Sequence, residues 1–264
     1  AGVPIVIHEQ NARPGLANKV GARNAAVVAL TFPSSPLQAR NGQTIVTGLP
    51  LRAAIAELAS RRADAQGAAQ ARHEAAERLG VNPDAPTLLV TGGSLGALHV
   101  NESMTGAADA LPEGAQVVHL TGRGKDEPVR AAVEDAGLSD RWHVIDYLTT
   151  MEDALAVADL VVCRSGAGTV AEMEALGLPC IYVPLPIGNG EQRLNAADHV
   201  AAGGAQLIDD KGFTADFVRR NVFPLLGSTR LADMAAASQS LGRAGAARAL
   251  ADLALEQVKE DGHE

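Results

Sequence analysis

Short apolar runs alternate along this chain with longer stretches in which apolar residues recur at helical spacing. The apolar runs predict β-strands at 4–8, 25–30, 43–47, 87–91, 116–120, 143–147, 160–163, 180–184 and 205–208. Helix-patterned stretches lie near 97–110, 126–137, 151–157, 168–176, 191–202 and 214–226. Continuous apolar strands that alternate with helices are typical of a parallel sheet covered on both faces. The pattern therefore predicts an α/β, Rossmann-like doubly wound fold, whose ligands bind at the carboxyl ends of the strands.

The Ala-rich, charged segment 51–80 differs from its surroundings and predicts a hinge followed by the first helix of a new domain. We therefore expect residues 1–49 to be the end of one α/β domain and 50–240 to be a complete second domain. An Ala/Leu-rich stretch, 229–258, predicts one or two helices, so 241–264 should form a C-terminal helix and tail. The chain starts Ala-Gly-Val-Pro without an initiating Met, and we expect it to be part of a longer protein.

Composition and charge exclude several classes of protein. A net charge of −9 argues against a nucleic-acid binder, because phosphate backbones are held by clustered Lys and Arg. Cys163 and Cys180 are far apart in apolar runs, without metal-ligand or disulfide spacing, which favours a reducing cytoplasm. No apolar run is long enough to predict a transmembrane helix.

The first candidate ligand loop, Gly92-Gly93-Ser94-Leu95-Gly96, joins an apolar strand to a helix. Glycine lets backbone approach a ligand closely, and a helix N-terminus offers unpaired N–H groups. A tight structural turn and a ligand loop explain the motif about equally well.

The second candidate loop, 164–169, has the sequence Arg-Ser-Gly-Ala-Gly-Thr and suits a diphosphate for the same reason. Glu172 follows Thr169 by three residues, so the pair could be a capping box, which the pattern alone slightly favours. Alternatively, the Glu172 carboxylate accepts hydrogen bonds from two ribose hydroxyls.

A third candidate loop, 184–195, ends a strand and contains Glu191, Gln192 and Asn195, which could bind sugar hydroxyls or simply be a solvated helix start. Loops at the carboxyl ends of one sheet converge, and together these three would suit a nucleotide diphosphate attached to a polar group. No Asp-x-Asp pair is present, so we expect no metal: helix dipoles and amides would hold the diphosphate instead.

Several segments, in the same order along the chain, resemble the MurG family of bacterial GT-B glycosyltransferases. They are His8-Glu9-Gln10-Asn11 with 14–19, Gly48-Leu49-Pro50-Leu51-Arg52, the glycine loop 92–96, the stretch from Cys163 to Glu172, and Glu191-Gln192 with Asn195-Ala196. The resemblance covers essentially the whole chain. It implies an inverting enzyme that moves N-acetylglucosamine from UDP-N-acetylglucosamine to lipid-linked muramyl-pentapeptide in peptidoglycan synthesis, without a cofactor.

The resemblance also implies a role for individual residues. Asn11 and Gln192 would contact the sugar, Arg52 and Ser94 the nucleotide, and the backbone of Leu148 the uracil. The diphosphate would be held by Ala167, Gly168 and Thr169, and the ribose by Glu172, which makes the capping box the weaker interpretation. The chain departs from the family pattern at Leu49, Leu95, Gly168 and Glu191, and the changes at Leu95 and Glu191 put the sugar-hydroxyl contacts in doubt.

By the same resemblance, residues 1–49 belong to the domain that faces acceptor and membrane. The candidate catalytic base and the membrane-docking surface would lie in a segment absent from this sequence, with the enzyme peripheral to the cytoplasmic face of the membrane. Two alternatives stay open: another GT-B enzyme that uses a UDP-sugar, such as a 2-epimerase, and a UDP-sugar binding module without turnover.

Overall fold

A small parallel sheet is formed by the first strands of the chain. The computed structural model describes residues 3–93, 96–187 and 189–261. The sheet has the order β1–β2–β3, with β1 at Val6–Glu9, β2 at Val27–Leu30 and β3 at Gln43–Val46. Helix α1 (Leu16–Gly21) connects β1 to β2. Every residue of the central strand β2 is buried, as its uninterrupted apolar sequence predicts.

The second sheet is larger and also fully parallel. Its strands are β4 (Thr87–Thr91), β5 (Gln116–Leu120), β6 (Trp142–Ile145), β7 (Leu160–Cys163), β8 (Cys180–Tyr182) and β9 (Ala205–Leu207). Their spatial order is β6–β5–β4–β7–β8–β9, so the chain winds outward from β4 and then outward again from β7. The predicted doubly wound fold is confirmed, and the strands begin and end within two residues of their predicted bounds.

Helices cover both faces of the second sheet. They are α2 (Ala53–Arg61), α3 (Ala65–Leu79), α4 (Leu98–Thr105), α5 (Glu127–Asp135), α6 (Met151–Val157), α7 (Ala167–Leu176), α8 (Glu191–Asn195), α9 (Ala197–Ala201), α10 (Ala215–Phe217) and α11 (Thr229–Leu241). The last helix, α12 (Ala246–Asp261), lines a cavity together with the end of β3 in the first sheet. Side chains on a strand alternate between faces, so Leu89 packs with α2, α3, α6 and α7, while Leu88 and Val90 pack with α4 and α11. The core consequently has two layers with β4 between them.

Some predicted helices are divided in the structure. The stretch 97–110 is α4 followed by a 3₁₀ turn at Ala108–Ala110, and 191–202 is the pair α8 and α9. After α10 the chain continues as a π turn and a 3₁₀ turn that contains Pro224, whose ring cannot donate a backbone hydrogen bond. Apolar periodicity persists across such breaks, so it does not reveal them.

The two sheets meet through the linker after β3 and through the C-terminal segment. Gly48 has φ +83, and a Cβ added there would lie 2.8 Å from Cβ of Arg243. The Ser34 amide donates to Asp198 (3.1 Å) and the Ala12 amide to Asn195 Oδ1 (2.9 Å), both across the junction. The division into domains at 1–49, 50–240 and 241–264 stays a prediction, because a domain is defined by its ability to fold on its own. Within the described ranges, no helix is both long and apolar enough to cross a membrane.

Candidate functional site

A cavity of about 250 Å³ opens at the carboxyl ends of the central strands of the larger sheet. This is the switch point at which the winding direction reverses, where doubly wound folds bind their ligands. The cavity is lined by Arg52, Thr91, Gly93, Leu120, Gly122, Asp146, Tyr147, Leu148, Met151, Val161, Cys163, Arg164, Thr169, Glu172 and Met173. Four predicted contacts, Arg52, Leu148, Thr169 and Glu172, are therefore brought together from distant segments.

The glycine loop after β4 forms a tight turn at one end and borders the cavity at the other. Gly96 has φ +67, and a Cβ there would lie 2.1 Å from the Thr121 carbonyl oxygen, so the turn requires glycine. That carbonyl also accepts from the Asn101 side chain (3.0 Å), which fixes α4 against the end of β5. Gly93 lines the cavity instead. The predicted contact Ser94 lies outside the described residues.

Helix α7 begins at the cavity and directs its N-terminus there. Its N-cap is Gly166, which makes no side-chain capping bond, so Ala167, Gly168 and Thr169 form the first turn. The amides of a first turn have no partner within the helix, and they carry the positive end of its dipole. The capping-box interpretation of Thr169 is therefore wrong: the helix has already started two residues earlier.

Glu172 is held by Arg52 rather than by the backbone of its own helix. Arg52 Nε and Nη2 lie 3.0 and 2.9 Å from Oε1 of the carboxylate. Burial raises the pKa of Glu172, while the charge and hydrogen bond of Arg52 act in the opposite direction. The Glu172 side chain is 16% exposed and that of Arg52 is 57% exposed, so the acid faces the protein interior more than the base does.

The loop after β6 contributes residues that the sequence did not single out. Asp146 and Tyr147 line the cavity beside Leu148, and Oδ1 of Asp146 is buried without a hydrogen-bond partner. The guanidinium of Arg123 stacks 3.9 Å above the Tyr147 ring, a cation–π contact. Polar residues directly after a strand are the signal that would have revealed them, as it revealed the other loops.

Asn11 and Gln192 do not line this cavity. The Gln192 side chain accepts a hydrogen bond from the Leu185 amide, 2.9 Å away. Asn11 lines a neighbouring cavity of about 510 Å³ between the sheets, together with Asn189 and Glu191 of the third loop. Its Oδ1 accepts from Asn195 Nδ2 at 3.3 Å. Of these two predicted sugar contacts, Asn11 therefore lies in the cavity where the sheets face each other, whereas Gln192 lines neither of the two cavities.

Glu9 organises the loop that carries Asn11. Its carboxylate is 3% exposed and accepts from the Asn11 amide (3.0 Å), the Gly15 amide (3.0 Å) and the Asn18 side chain (2.9 Å). Buried carboxylates need such partners, and these three bonds fix the loop as a unit. Within the part of the chain that the structure describes, no cluster of three or more His, Cys, Asp or Glu could hold a metal ion.

The chain is similar to known proteins both in one family domain and over most of its length. Residues 87–251 match the glycosyltransferase family 28 C-terminal domain. The chain is 47% identical over 266 residues to a protein of Bifidobacterium longum (strain DJO10A), covering 95% of this chain and 67% of the relative. A protein of Streptomyces coelicolor is 46% identical over 259 residues, with 97% and 67% covered. Both are named UDP-N-acetylglucosamine–N-acetylmuramyl-(pentapeptide) pyrophosphoryl-undecaprenol N-acetylglucosamine transferase.

Solved structures of related proteins share the fold of this chain. Acinetobacter baumannii MurG superposes with a TM-score of 0.75 and 26% identity, over 97% of this chain and 67% of that one. A Listeria monocytogenes protein described as a putative UDP-N-acetylglucosamine 2-epimerase has a TM-score of 0.57 at 22% identity, which shows a shared fold alone. The chain thus spans about two thirds of the length of the relatives it matches.

Proposed function

Because this chain belongs to the MurG family of N-acetylglucosamine transferases, within glycosyltransferase family 28, we propose that it binds UDP-N-acetylglucosamine for transfer of the sugar. The acceptor is a lipid-linked muramyl-pentapeptide, and the reaction belongs to peptidoglycan synthesis. One observation carries the proposal. Arg52, Leu148, Thr169 and Glu172, which are up to 120 residues apart, line one cavity at the switch point of the sheet.

Each part of the donor has a place at this site. The first turn of α7, at Ala167, Gly168 and Thr169, binds the diphosphate through free amides. Glu172 accepts hydrogen bonds from the ribose, the Leu148 backbone contacts the uracil, and Arg52 and Ser94 contact the nucleotide. Asn11, which lines the cavity between the sheets, and Gln192 bind the sugar.

The site assists an inverting displacement by stabilising the leaving group. The acceptor hydroxyl attacks the anomeric carbon and passes its proton to a general base, while the bond from that carbon to the diphosphate oxygen breaks, so UDP leaves with the bonding electrons. Negative charge then grows on the diphosphate, where the α7 amides and dipole are already oriented. A preoriented dipole needs no reorganisation during the reaction, so it stabilises the transition state more than water would.

The two sheets have different roles in this proposal. Residues 1–49 face the acceptor and the membrane surface, and 50–240 bind the donor, with 241–264 as a C-terminal helix and tail. The protein acts at the cytoplasmic face of the membrane as a peripheral enzyme. It has no nucleic-acid partner and needs neither cofactor nor metal.

A product assay tests the proposal against its alternatives. The chain is incubated with UDP-N-acetylglucosamine and lipid-linked muramyl-pentapeptide, and the lipid fraction is analysed by mass spectrometry for one added N-acetylhexosamine. Formation of that product supports the transferase. Epimerised UDP-sugar, or transfer only to other acceptors, would identify a different GT-B enzyme. Saturable UDP binding with no product of any kind would identify a binding module.

A further inference from the structure

Arg164 joins the second candidate loop to the third. It follows β7 directly, lines the nucleotide cavity, and has a side chain that is only 14% exposed. Its Nη1 lies 3.0 Å from the Val183 carbonyl oxygen, 3.1 Å from that of Pro184, and 2.5 Å from Asp210 Oδ1. One guanidinium nitrogen therefore ties the end of β7 to the chain just beyond β8 and to the segment after β9.

The bond to Pro184 leads directly to Gln192. The amide of Leu185 belongs to the same peptide group as the Pro184 carbonyl, and it donates to Gln192 Oε1 at 2.9 Å. A peptide group is planar and rigid, so its two ends cannot turn independently. Arg164 holds the carbonyl end of this group, and Gln192 is hydrogen-bonded to the amide end.

This arrangement determines which half of the Gln192 amide can meet a ligand. Its oxygen is engaged by Leu185, whereas no hydrogen bond of the described residues uses Nε2, which carries two N–H donors. We propose that Arg164 is a positioning residue: by fixing the 184–185 peptide, it presents the Gln192 NH₂ group to a hydroxyl of the donor sugar. The proposal rests on the proposed function, since it takes the ligand to be a UDP-sugar.

Charge favours this indirect role over a direct contact between Arg164 and phosphate. Asp210, whose side chain is 16% exposed, neutralises Arg164 within the site. A second pair, Arg193–Asp209, joins α8 to the segment after β9. It lies one residue along from Gln192 and from Asp210, and its side chains are 53% and 58% exposed. The exposed pair makes no bond to the 184–185 peptide, so it is a matched control for the buried one.

Epimer discrimination measures the orientation of the Gln192 amide. Dissociation constants for UDP, UDP-N-acetylglucosamine and its C4 epimer UDP-N-acetylgalactosamine are measured by calorimetry on the full chain. The test variant is Arg164→Met with Asp210→Asn, which removes both charges and leaves no lone buried ion. The control is Arg193→Met with Asp209→Asn. Gln192→Ala, alone and combined with the test variant, completes a double-mutant cycle.

Wild type should bind UDP-N-acetylglucosamine more tightly than its epimer. In the test variant, the ratio of the two dissociation constants should fall by roughly three- to tenfold, because one neutral hydrogen bond contributes a factor of about this size. The affinity of the test variant for UDP should not change. Gln192→Ala should lose the same preference for UDP-N-acetylglucosamine, and the combined variant should lose no more of it than either variant alone. The exposed-pair control should keep the full preference. Circular dichroism melts confirm that each variant is folded.

Other results would overturn the positioning role. They are equal binding of the epimers by wild type, additive losses in the cycle, or unchanged preference in the test variant. An equal loss of affinity for UDP and UDP-sugar would place Arg164 on the nucleotide itself. Failure of wild type to bind UDP at all would instead refute the proposed function.

Discussion

Arg52 and Glu172 are bonded to each other, with Nε and Nη2 of the guanidinium converging on one carboxylate oxygen, Oε1. The two residues were predicted separately, as a nucleotide contact and as the ribose ligand. Among the described hydrogen bonds none uses Oε2, so a ribose hydroxyl can reach this oxygen while Arg52 stays in place. The pair also explains how a half-buried acid beside a cavity keeps a defined orientation before the ligand arrives.

Replacing Arg52 should affect ligand binding far more than folding. Arg52→Ala is expected to weaken UDP binding by roughly 1.5–3 kcal/mol, because a charge-assisted hydrogen bond is lost. Its side chain is 57% exposed, so the free energy of unfolding should change by less than about 1 kcal/mol. Calorimetric titration and a urea melt give the two quantities. The control is Arg61→Ala at the other end of α2, where the arginine pairs with Glu74, and this variant should leave UDP affinity unchanged. An unaltered affinity in Arg52→Ala would mean that this residue pairs with Glu172 but does not bind the nucleotide.

Glu174, which is on α7 with Glu172 but does not line the cavity, should make the fold less stable at alkaline pH. Burial and the nearby charge of Asp198 raise its pKa to about 8, and Arg243 only partly opposes them. The unfolded chain releases this proton at the ordinary pKa of 4.5, so the free energy of unfolding falls as pH rises from there to about 8. The slope from this group is at most about 1.4 kcal/mol per pH unit. Urea melts across this range should show Glu174→Gln falling less steeply than wild type; parallel curves would contradict the assignment.

His199 should make the fold less stable in acid. Ser238 Oγ lies within hydrogen-bond distance of three carbonyl oxygens, and it donates its hydroxyl hydrogen to one of them. Ser238 Oγ therefore accepts the hydrogen bond from His199 Nε2–H (2.7 Å). The other ring nitrogen of His199, Nδ1, accepts from the Tyr182 hydroxyl (2.8 Å). Burial lowers the pKa of His199 to about 4. The unfolded chain binds the proton near pH 6.5, so stability is lost as pH falls from 6.5 toward 4.

In urea melts, His199→Gln should therefore be less stable at neutral pH but should lose less on acidification. Part of the slope should remain, because burial lowers the pKa of His119 to about 3 and this second buried histidine acts in the same direction. An acid slope identical to that of wild type would show that His199 does not carry the effect.

Chelation should leave nucleotide binding intact. The diphosphate has helix amides and a dipole at α7 to neutralise it, and the sequence lacks an Asp-x-Asp pair. UDP at 100 times its dissociation constant should stabilise the fold by about 2.7 kcal/mol, and EDTA should not reduce the shift in melting temperature. A shift that disappears with EDTA and returns with Mg²⁺ would contradict the metal-free site.

The sequence predicted the sheet and the convergence of its loops more reliably than individual contacts. Strands such as 87–91 are continuously apolar because both faces are covered, and that signal is local. The spacing of Thr169 and Glu172 predicted that α7 begins after Thr169, but Gly166 is the N-cap and the helix begins at Ala167. The position of a cap depends on backbone conformation, which residue spacing alone does not determine. The Arg52–Glu172 bond and the role of the 184–185 peptide depend on contacts between distant segments, which no local pattern encodes. Asp146 is polar and directly follows β6, so the pattern that indicates the other loops also applies to it.

One titration tests whether Glu172 is the ribose ligand, on which the placement of the nucleotide in the cavity depends. UDP and 2′,3′-dideoxy-UDP are titrated into wild type, Glu172→Gln and the control Glu174→Gln, which alters the same helix outside the cavity. Wild type and the control should bind UDP more tightly than the dideoxy ligand. Glu172→Gln should lose much of its UDP affinity together with this discrimination while staying folded, because an amide has one acceptor oxygen and no charge. If wild type binds both ligands equally, Glu172 does not hold the ribose and the nucleotide has been placed wrongly in the cavity.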